Sequence, residues 1–248
     1  MTEKLNSPGL LARRFINKLG RPFGINPFPR AFPNPLSEEA SSRQGVFEGI
    51  YATNFWGSDQ SHSGVGSEKD FAERYRRELQ DLLIRRAFVS IFDAPCGDLN
   101  WMPDVIATTG IRYLGGDISP GIVDAARHRH PSFDLQIFDI CEGTFPQVDV
   151  WHCRDCFFHL SFAEIRLALA NYVSSRIPYA LLTTHKARWH HNLDISTGGF
   201  RYLDLEREPI NLPRAMNYVK DYTYGVDFPR YVGLWPREAI ARSLDVWN

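Results

Sequence analysis

Between residues 88 and 184 the chain alternates short apolar segments with amphipathic patterns, and this alternation constrains the fold more than any other feature. The apolar segments predict five strands, at 88–92, 112–116, 133–138, 148–153 and 179–184. Apolar positions spaced by three and four residues predict helices at about 67–86, 101–107, 120–128 and 162–173. Parallel strands need long crossovers, so this order predicts a parallel sheet with helices on both faces.

The last 50 residues follow a different pattern. Apolar segments at 200–205 and 230–234 have no long helical pattern between them. A closing antiparallel hairpin fits this arrangement, because antiparallel strands need no helical crossover. We therefore predict an α/β fold with a Rossmann-like, mostly parallel seven-stranded sheet and an N-terminal extension.

Residues 1–44 form this extension, which is basic and rich in proline. Within the first 35 positions, six Lys or Arg residues face a single acidic residue, Glu3, and five prolines follow position 21. We interpret the segment as a loosely docked arm; the alternative is a short basic helix that contacts a membrane surface or a partner. The arm is followed by a predicted lid and helix (45–86), a core (87–185) and C-terminal elements (186–248).

Composition limits the classes of function. The formal net charge is -1 and the isoelectric point is about 6.7, so no nucleic-acid partner is expected. The sequence contains no run of 18 apolar residues, so no transmembrane helix is expected. The N-terminus lacks the apolar core of a secretory signal. We expect a cytoplasmic protein, and therefore that its four cysteines are free thiols.

The most informative segment runs from Asp93 to Trp101, between the first predicted strand and the next helix. In open α/β sheets, ligands bind beyond the carboxyl ends of the strands, where Gly97 lets backbone approach a ligand closely. The second strand ends in Asp117, whose carboxylate can accept two hydrogen bonds from a ribose diol. The third ends in Asp139 and Ile140, which suit an adenine amino group and its ring.

With these features the sequence resembles the class I S-adenosylmethionine-dependent methyltransferases. Their first motif usually reads acidic-x-Gly-x-Gly-x-Gly, and the matching positions here are Asp93, Pro95, Gly97 and Leu99, so only the middle glycine is present. This departure disfavours a nicotinamide dehydrogenase, whose pyrophosphate needs more glycine. S-adenosylmethionine has no phosphate and tolerates the change.

A narrower likeness is to a group of small bacterial-type methyltransferases with a D-x-P-C-G-D first motif. It rests on the segments 56–57, 63–67, 93–102 and 154–161. The exit of the fourth strand, with its His-Leu pair at 159–160, resembles the fourth motif of the broader family. Some relatives of that group are linked to sugar or glycan modification. The resemblance covers residues 45–185 well and the C-terminus poorly.

The resemblance and the strand ends together imply a set of cofactor-binding residues. Trp56 is expected to cover S-adenosylmethionine, and Arg76 to pair with its methionine carboxylate. Asp93 is expected to orient the first loop or to meet the amino-acid end of the cofactor. The full predicted set is Trp56, Gly64, Ser67, Arg76, Asp93, Pro95, Gly97, Asn100, Trp101, Asp117, Ile118, Asp139, Ile140 and Arg154.

Methyl transfer to an oxygen requires removal of a proton, and three residues that follow the fourth and fifth strands are candidates. His185 ends the fifth strand, and we favour it as the general base. Asp155 and His159 follow the fourth strand. For Asp155 we expect contact with the methionine part of the cofactor or support of a catalytic histidine; its structural alternative is a helix cap. For His159 the structural alternative is capping or packing of the following helix.

Two groups of residues raise the question of a metal. His185, His190, His191 and Asp194 are close in sequence, so a divalent ion is an alternative, although we predict none. Cys153 and Cys156 form a single C-x-x-C pair, whereas a structural zinc site normally has two, which disfavours zinc.

The C-terminal part is rich in arginine and aromatic residues, which suit a sugar ring or a charged glycan, although for most of them we favour packing of a hairpin on the sheet. The leading hypothesis rests on the three strand-end aspartates and His185, and it is an O-methyltransferase acting on a sugar, glycan or small-molecule hydroxyl. One alternative is a non-catalytic cofactor-binding or scaffold protein, because two motif glycines are missing. A further alternative is an N- or protein methyltransferase, disfavoured because no Asn/Asp-Pro-Pro-aromatic signature follows the fourth strand.

Overall fold

A computed structural model describes residues 16, 19, 25, 30–221 and 228–247. Its helices are α1 (Leu36–Glu39), α2 (Arg43–Ala52), α3 (Lys69–Arg85), α4 (Met102–Thr109), α5 (Pro120–Arg129), α6 (Phe162–Ser175) and α7 (Arg237–Val246). Its strands are β1 (Ala31–Phe32), β2 (Ser90–Asp93), β3 (Arg112–Asp117), β4 (Asp134–Ile137), β5 (Val150–Cys153), β6 (Tyr179–His185), β7 (Phe200–Arg201), β8 (Asn217–Lys220) and β9 (Arg230–Pro236).

The main sheet has seven strands in the order β4-β3-β2-β5-β6-β9-β8. Strands β2 to β6 pair in parallel, and β9 is antiparallel to both of its neighbours, β6 and β8. The predicted mostly parallel seven-stranded sheet is therefore confirmed. The chain leaves β2 towards β3 on one side and later returns to β5 on the other, which creates a switch point at the carboxyl end of β2.

The predicted C-terminal hairpin needs correction in its pairing. Strand β9 pairs with β8, whereas Phe200 and Arg201 pair with β1 in a separate two-stranded sheet. Residues beyond β7 instead bond to the end of β6, where His185 donates its N–H to the Leu203 carbonyl and Leu205 donates to the Thr184 hydroxyl. The segment from 200 to 205 therefore runs beside the end of β6, which explains its apolar positions. Only Phe200 and Arg201 within it form a strand.

Large apolar side chains on both faces of the sheet fix the strands that carry the site. Every residue of β2 and β5 is buried, and Phe92, Trp151 and Tyr172 pack around Phe145. Full burial of a phenylalanine side chain such as Phe92 contributes about 1.5–3 kcal/mol. This packing fixes the positions of the carboxyl ends of β2 and β5.

The amphipathic helices pack as the sequence predicts. On α3 the buried side chains Ala72, Tyr75, Leu79, Leu82 and Leu83 form one stripe. Helix α6 begins with a capping box, in which Ser161 and Glu164 bond each other's backbone N–H groups. These helices fix the walls of the sheet edge at which β2 and β5 end.

Most of the basic arm lies outside the described residues, so the interpretation as a loosely docked arm and the alternative of a short basic helix both fall largely outside them. In the part of the chain that the structure describes, no helix is long and apolar enough to cross a lipid bilayer.

Candidate active site

An open pocket of about 840 Å³ lies at the carboxyl ends of β2, β3 and β5, beneath α2 and the segment from Trp56 to Ser67. Side chains from all of these elements line it. The predicted site residues that it brings together are Trp56, Ser67, Asp93, Pro95, Gly97, Trp101, Asp117, Ile118, Asp139, Ile140, Arg154, Asp155 and His159.

A buried chain of hydrogen bonds holds Asp93 at the base of the pocket. The Tyr113 hydroxyl donates to one carboxylate oxygen at 2.9 Å, and His152 Nδ1 lies 2.5 Å from the other. The Tyr75 hydroxyl lies 2.7 Å from His152 Nε2. Asp93 and His152 are opposite each other in the β2–β5 register, so the sheet itself brings this pair together.

The loop after β2 is closed by the lid segment from Ser58 to Ser67. Gly97 has a φ of +57°, and a Cβ atom there would overlap the Ser63 hydroxyl, so glycine is strongly favoured at this position. Ser61 donates to the Asp98 carboxylate at 2.9 Å, and Asn100 donates to the Ser67 carbonyl at 2.9 Å. The lid is therefore tied to the loop that a ligand would touch.

Asp117 is a buried carboxylate that faces the pocket. It accepts the backbone N–H groups of Gly97 at 3.0 Å and Ser119 at 3.1 Å, and the Tyr51 hydroxyl lies 3.4 Å away. Burial raises the pKa of Asp117 to about 6, although these hydrogen bonds oppose the shift. Asp117 ends β3, the second of the strands predicted from the sequence. Its carboxylate is the group expected to accept hydrogen bonds from the hydroxyls of a ribose.

Asp139 lines the same pocket as Asp93 and has a partner that the sequence did not indicate. Arg43, from the start of α2, contacts one Asp139 oxygen with Nη2 at 2.9 Å, while Cys141 donates its N–H to the other at 2.8 Å. Ile118 and Ile140 line the pocket nearby. Two aliphatic side chains and a carboxylate form a slot suited to a flat ring with an exocyclic amino group.

His159 lines the pocket against the half-buried ring of Trp56, with ring centroids 5.1 Å apart. Its Nδ1 lies 2.7 Å from the Gly199 carbonyl oxygen. A carbonyl only accepts hydrogen bonds, so Nδ1 carries the proton and Nε2 keeps a free lone pair. Burial lowers the pKa of His159 to about 4, and Arg201 and Arg230 act in the same direction, so the ring is neutral near pH 7.

Arg154 and Asp155 belong to a group of four charges, of which Arg154, Asp221 and Arg230 are buried and Asp155 is partly exposed. Asp221 accepts two bonds from Arg154, at 2.8 and 3.0 Å, and lies 3.3 Å from Arg230. Asp155, with a φ of +55°, lies 3.2 Å from Arg230 and 3.5 Å from Arg154. Burial lowers the pKa of Arg154, but the two carboxylates outweigh it and raise the pKa. This group connects the exit of β5 with β8 and β9.

His185, the favoured general base, does not line the pocket. Its Nδ1 accepts the N–H of Leu203 at 3.2 Å, and its ring is buried against Phe158 and Tyr202. Burial and the charge of Arg230 lower its pKa well below the usual value. With its accepting nitrogen occupied and its ring enclosed, this histidine is poorly placed to take a proton from an acceptor.

Three predicted cofactor-binding residues also lie outside the lining. Arg76 pairs with Asp104 at the surface, which separates it from a methionine carboxylate. Gly64, with a φ of +88°, lies close to Trp56: a Cβ atom added at this position would be only 3.0 Å from the Trp56 Cβ. Asn100 ties the loop to the lid. The last two residues shape the pocket without facing it.

The histidines and cysteines are not arranged as a metal centre. Within the described residues, no group of three or more His, Cys, Asp or Glu side chains is placed to hold a metal ion. His190 contacts the Tyr202 carbonyl, while Asp194 accepts the N–H of Phe162. All four cysteines are free. Burial raises the pKa of the Cys96, Cys141 and Cys153 thiols, which keeps them protonated.

Several lining residues were not predicted from the sequence. Arg43, Phe47 and Tyr51 come from α2, a helix that the sequence analysis did not place. The apolar positions Val46, Phe47 and Ile50 were the available signal, since they follow helical spacing. His152 was hidden inside a buried strand, where nothing in the pattern separates a ligand-facing residue from a core residue.

Comparison with solved structures identifies the fold. The magnesium protoporphyrin IX methyltransferase of Synechocystis PCC 6803, with bound S-adenosylmethionine, is 13% identical with a TM-score of 0.55, covering 79% of this chain and 97% of that one. Human N-acetylserotonin methyltransferase is 12% identical with a TM-score of 0.55, covering 92% and 68%. The methyltransferase domain of bacterial CtHen1-CN is 12% identical with a TM-score of 0.52, covering 67% and 99%.

No family sequence model and no curated protein matches the chain. At these identities the structural likeness establishes the fold. The chain has the class I S-adenosylmethionine-dependent methyltransferase fold.

Proposed function

We propose that this protein is an S-adenosylmethionine-dependent methyltransferase. The observation that carries the proposal is the pocket at the switch point of the sheet, where Asp93, Asp117 and Asp139 end or follow three successive parallel strands and all face one space. Fold likeness alone does not establish an activity, so the proposal rests on this site.

The pocket residues fit the parts of the cofactor. The Asp117 carboxylate would accept the ribose hydroxyls, while Ile118 and Ile140 would enclose the adenine ring, with Asp139 near its amino group. Asp93 and Arg154 line the part of the pocket left for the methionine end. No phosphate-binding glycine loop is needed, which agrees with a first loop that keeps only Gly97.

The cofactor supplies a methyl group bound to a positively charged sulfur. The protein must hold the acceptor oxygen in line with it and remove the acceptor proton. His159 is placed for the second task, since its neutral Nε2 has a free lone pair and its Nδ1–H is oriented by Gly199. We therefore propose His159, and not His185, as the general base. Asp155 would contact the edge of the methionine site.

We favour a hydroxyl of a sugar or glycan as the acceptor. The support is the aromatic surface around His159. The rings of Trp56 and Phe200 lie 5.1 and 6.0 Å from the His159 ring, and the exposed Phe32 lies 6.0 Å from Phe200. Flat aromatic faces stack on the apolar faces of sugar rings, while the hydroxyl rim remains free to reach His159. No metal enters this scheme.

The acceptor class is tested by transfer of a labelled methyl group from S-adenosylmethionine to a panel of glycosides, with peptides and amines as comparison acceptors. The proposal predicts alkali-stable label on a glycoside. Label on an amine or peptide would contradict the acceptor assignment while keeping the methyltransferase. Cofactor binding without transfer to any acceptor class would favour the non-catalytic alternative.

Asp117 gives the cofactor site a predicted pH dependence. The ionised carboxylate is the better acceptor for two hydroxyl donors, and in the free protein it becomes protonated as the pH falls through about 6. The affinity for S-adenosylhomocysteine should therefore be constant above pH 7 and about tenfold weaker at pH 5, as expected for a single titrating group. Calorimetric titration over this range measures it.

The Asp117→Asn variant is the control for this dependence. It should bind more weakly at pH 7 and show no change between pH 7 and pH 5, since its amide does not titrate. A wild-type affinity that is the same at both pH values would rule out Asp117 as the titrating contact.

A further inference from the structure

His152 lines the pocket and is 1% exposed, but the proposed function gives it no role. His152 lies in the middle of a hydrogen-bond chain that runs from Tyr113 through Asp93 and His152 to Tyr75. All four side chains are buried. A polar chain of this length within a core indicates a purpose beyond packing, since apolar side chains would fill the same volume at a lower desolvation cost.

The chemistry of its partners fixes the orientation of the imidazole. A carboxylate only accepts hydrogen bonds, so His152 Nδ1 carries a proton and donates to Asp93. Its Nε2 is then the natural acceptor for the Tyr75 hydroxyl. Contacts with the rings of Tyr75 and Trp101, at centroid distances of 6.0 and 6.2 Å, enclose the imidazole further. The histidine therefore holds the carboxylate of Asp93 in one rotamer.

Counting lone pairs shows what Asp93 can still bind. A carboxylate has about four acceptor positions. Tyr113 uses one oxygen and His152 the other, which leaves about one position on each oxygen for a ligand in the pocket. A ligand group with several hydrogens pointing outward, such as an ammonium, can bond to both.

The local charges also favour a cation. Among the described residues, the only ionic partner recorded for Asp93 is the His152 imidazole. The nearby Arg154 is occupied by Asp221 and by the Gly66 carbonyl, and its guanidinium stacks 4.9 Å over the Tyr75 ring. A buried carboxylate whose one ionic partner is an imidazole is stabilised further by a ligand that brings its own positive charge.

We propose that His152, with Tyr75 and Tyr113, is a positioning residue that fixes Asp93 to recognise the α-ammonium group of the cofactor's methionine end. This inference rests on the proposed function. It assigns no proton transfer to His152, which acts through Asp93 alone.

Two ligands that differ in the methionine end provide the test. S-adenosylhomocysteine carries the α-ammonium, whereas 5′-methylthioadenosine has the same nucleoside and a sulfur but no amino-acid part. Titration calorimetry of both ligands is compared for the wild type, His152→Phe and His152→Asn. The asparagine amide can replace Nδ1–H towards Asp93, while phenylalanine cannot donate at all.

The proposal predicts that His152→Phe binds S-adenosylhomocysteine at least about tenfold more weakly and 5′-methylthioadenosine with an affinity within about threefold of the wild type. His152→Asn should recover most of the loss. If His152→Phe does not fold, Tyr113→Phe takes its place in the test, because it keeps the aromatic ring. It should weaken binding of S-adenosylhomocysteine selectively, by a smaller factor. Equal weakening of both ligands, or no weakening of either, would overturn the positioning role. Failure of both ligands to bind the wild type would overturn the proposed function as well.

Discussion

Replacing His159 with alanine should lower the rate of methyl transfer by about 10²- to 10⁴-fold, the usual contribution of a positioned general base. The imidazole is neutral near pH 7, its Nδ1 is bound to the Gly199 carbonyl, and the side chain lines the same pocket as Asp155. The affinity for S-adenosylhomocysteine should stay within about threefold, because a group that acts only on the acceptor proton contributes little to ground-state cofactor binding. Single-turnover kinetics and calorimetry on one preparation separate the two effects.

His185→Gln is the matched control for this prediction. The glutamine oxygen can replace Nδ1 as acceptor for the Leu203 N–H, so the fold is kept, and the side chain lies outside the pocket lining. Its rate should stay within about threefold of the wild type. A large loss in His185→Gln with little loss in His159→Ala would reverse the assignment of the base.

Replacing Asp221 with alanine should lower the free energy of unfolding by about 3–5 kcal/mol, the cost of leaving a buried charge without its partner. The Asp221 side chain is 0% exposed, and its carboxylate contacts both Arg154 and Arg230. Removing it would leave two guanidinium groups with one partly exposed carboxylate, that of Asp155, so one positive charge of the group would be uncompensated in the interior. Urea unfolding followed by circular dichroism measures the change.

Asp221→Asn separates charge from hydrogen bonding. The amide oxygen can still accept one bond from Arg154, so a smaller loss of about 1–3 kcal/mol is expected. If Asp221→Ala costs less than about 1 kcal/mol, the four charges are solvated and behave as a surface pair would, contrary to their burial.

The fold followed from the sequence because its determinants are local and repeated. Strand and helix periodicities alternate from 88 to 185, and only one sheet type accommodates that order. The pairing of the C-terminal segments did not follow, because both 200–205 and 217–220 are extended and apolar enough to pair. The choice between them depends on whether β9 meets β8 or β7, which is a tertiary contact.

The site followed only in part. Strand ends are fixed by the sheet, so Asp93, Asp117 and Asp139 could be placed at one edge from their positions alone. Arg43 could not, because it reaches Asp139 across 96 residues of sequence from a helix that was not predicted. His159 and His185 both follow strands, and only the hydrogen bonds of their ring nitrogens show which keeps a free lone pair in the pocket.

The central claim is that the pocket binds S-adenosylmethionine through the strand-end carboxylates, and titration of S-adenosylhomocysteine into the folded protein at neutral pH tests it most directly. We expect a dissociation constant of about micromolar for the wild type, weakened about tenfold or more in Asp117→Ala, which is about 1.4 kcal/mol or more. Absence of binding to folded wild-type protein, or equal binding by Asp117→Ala, would contradict the account.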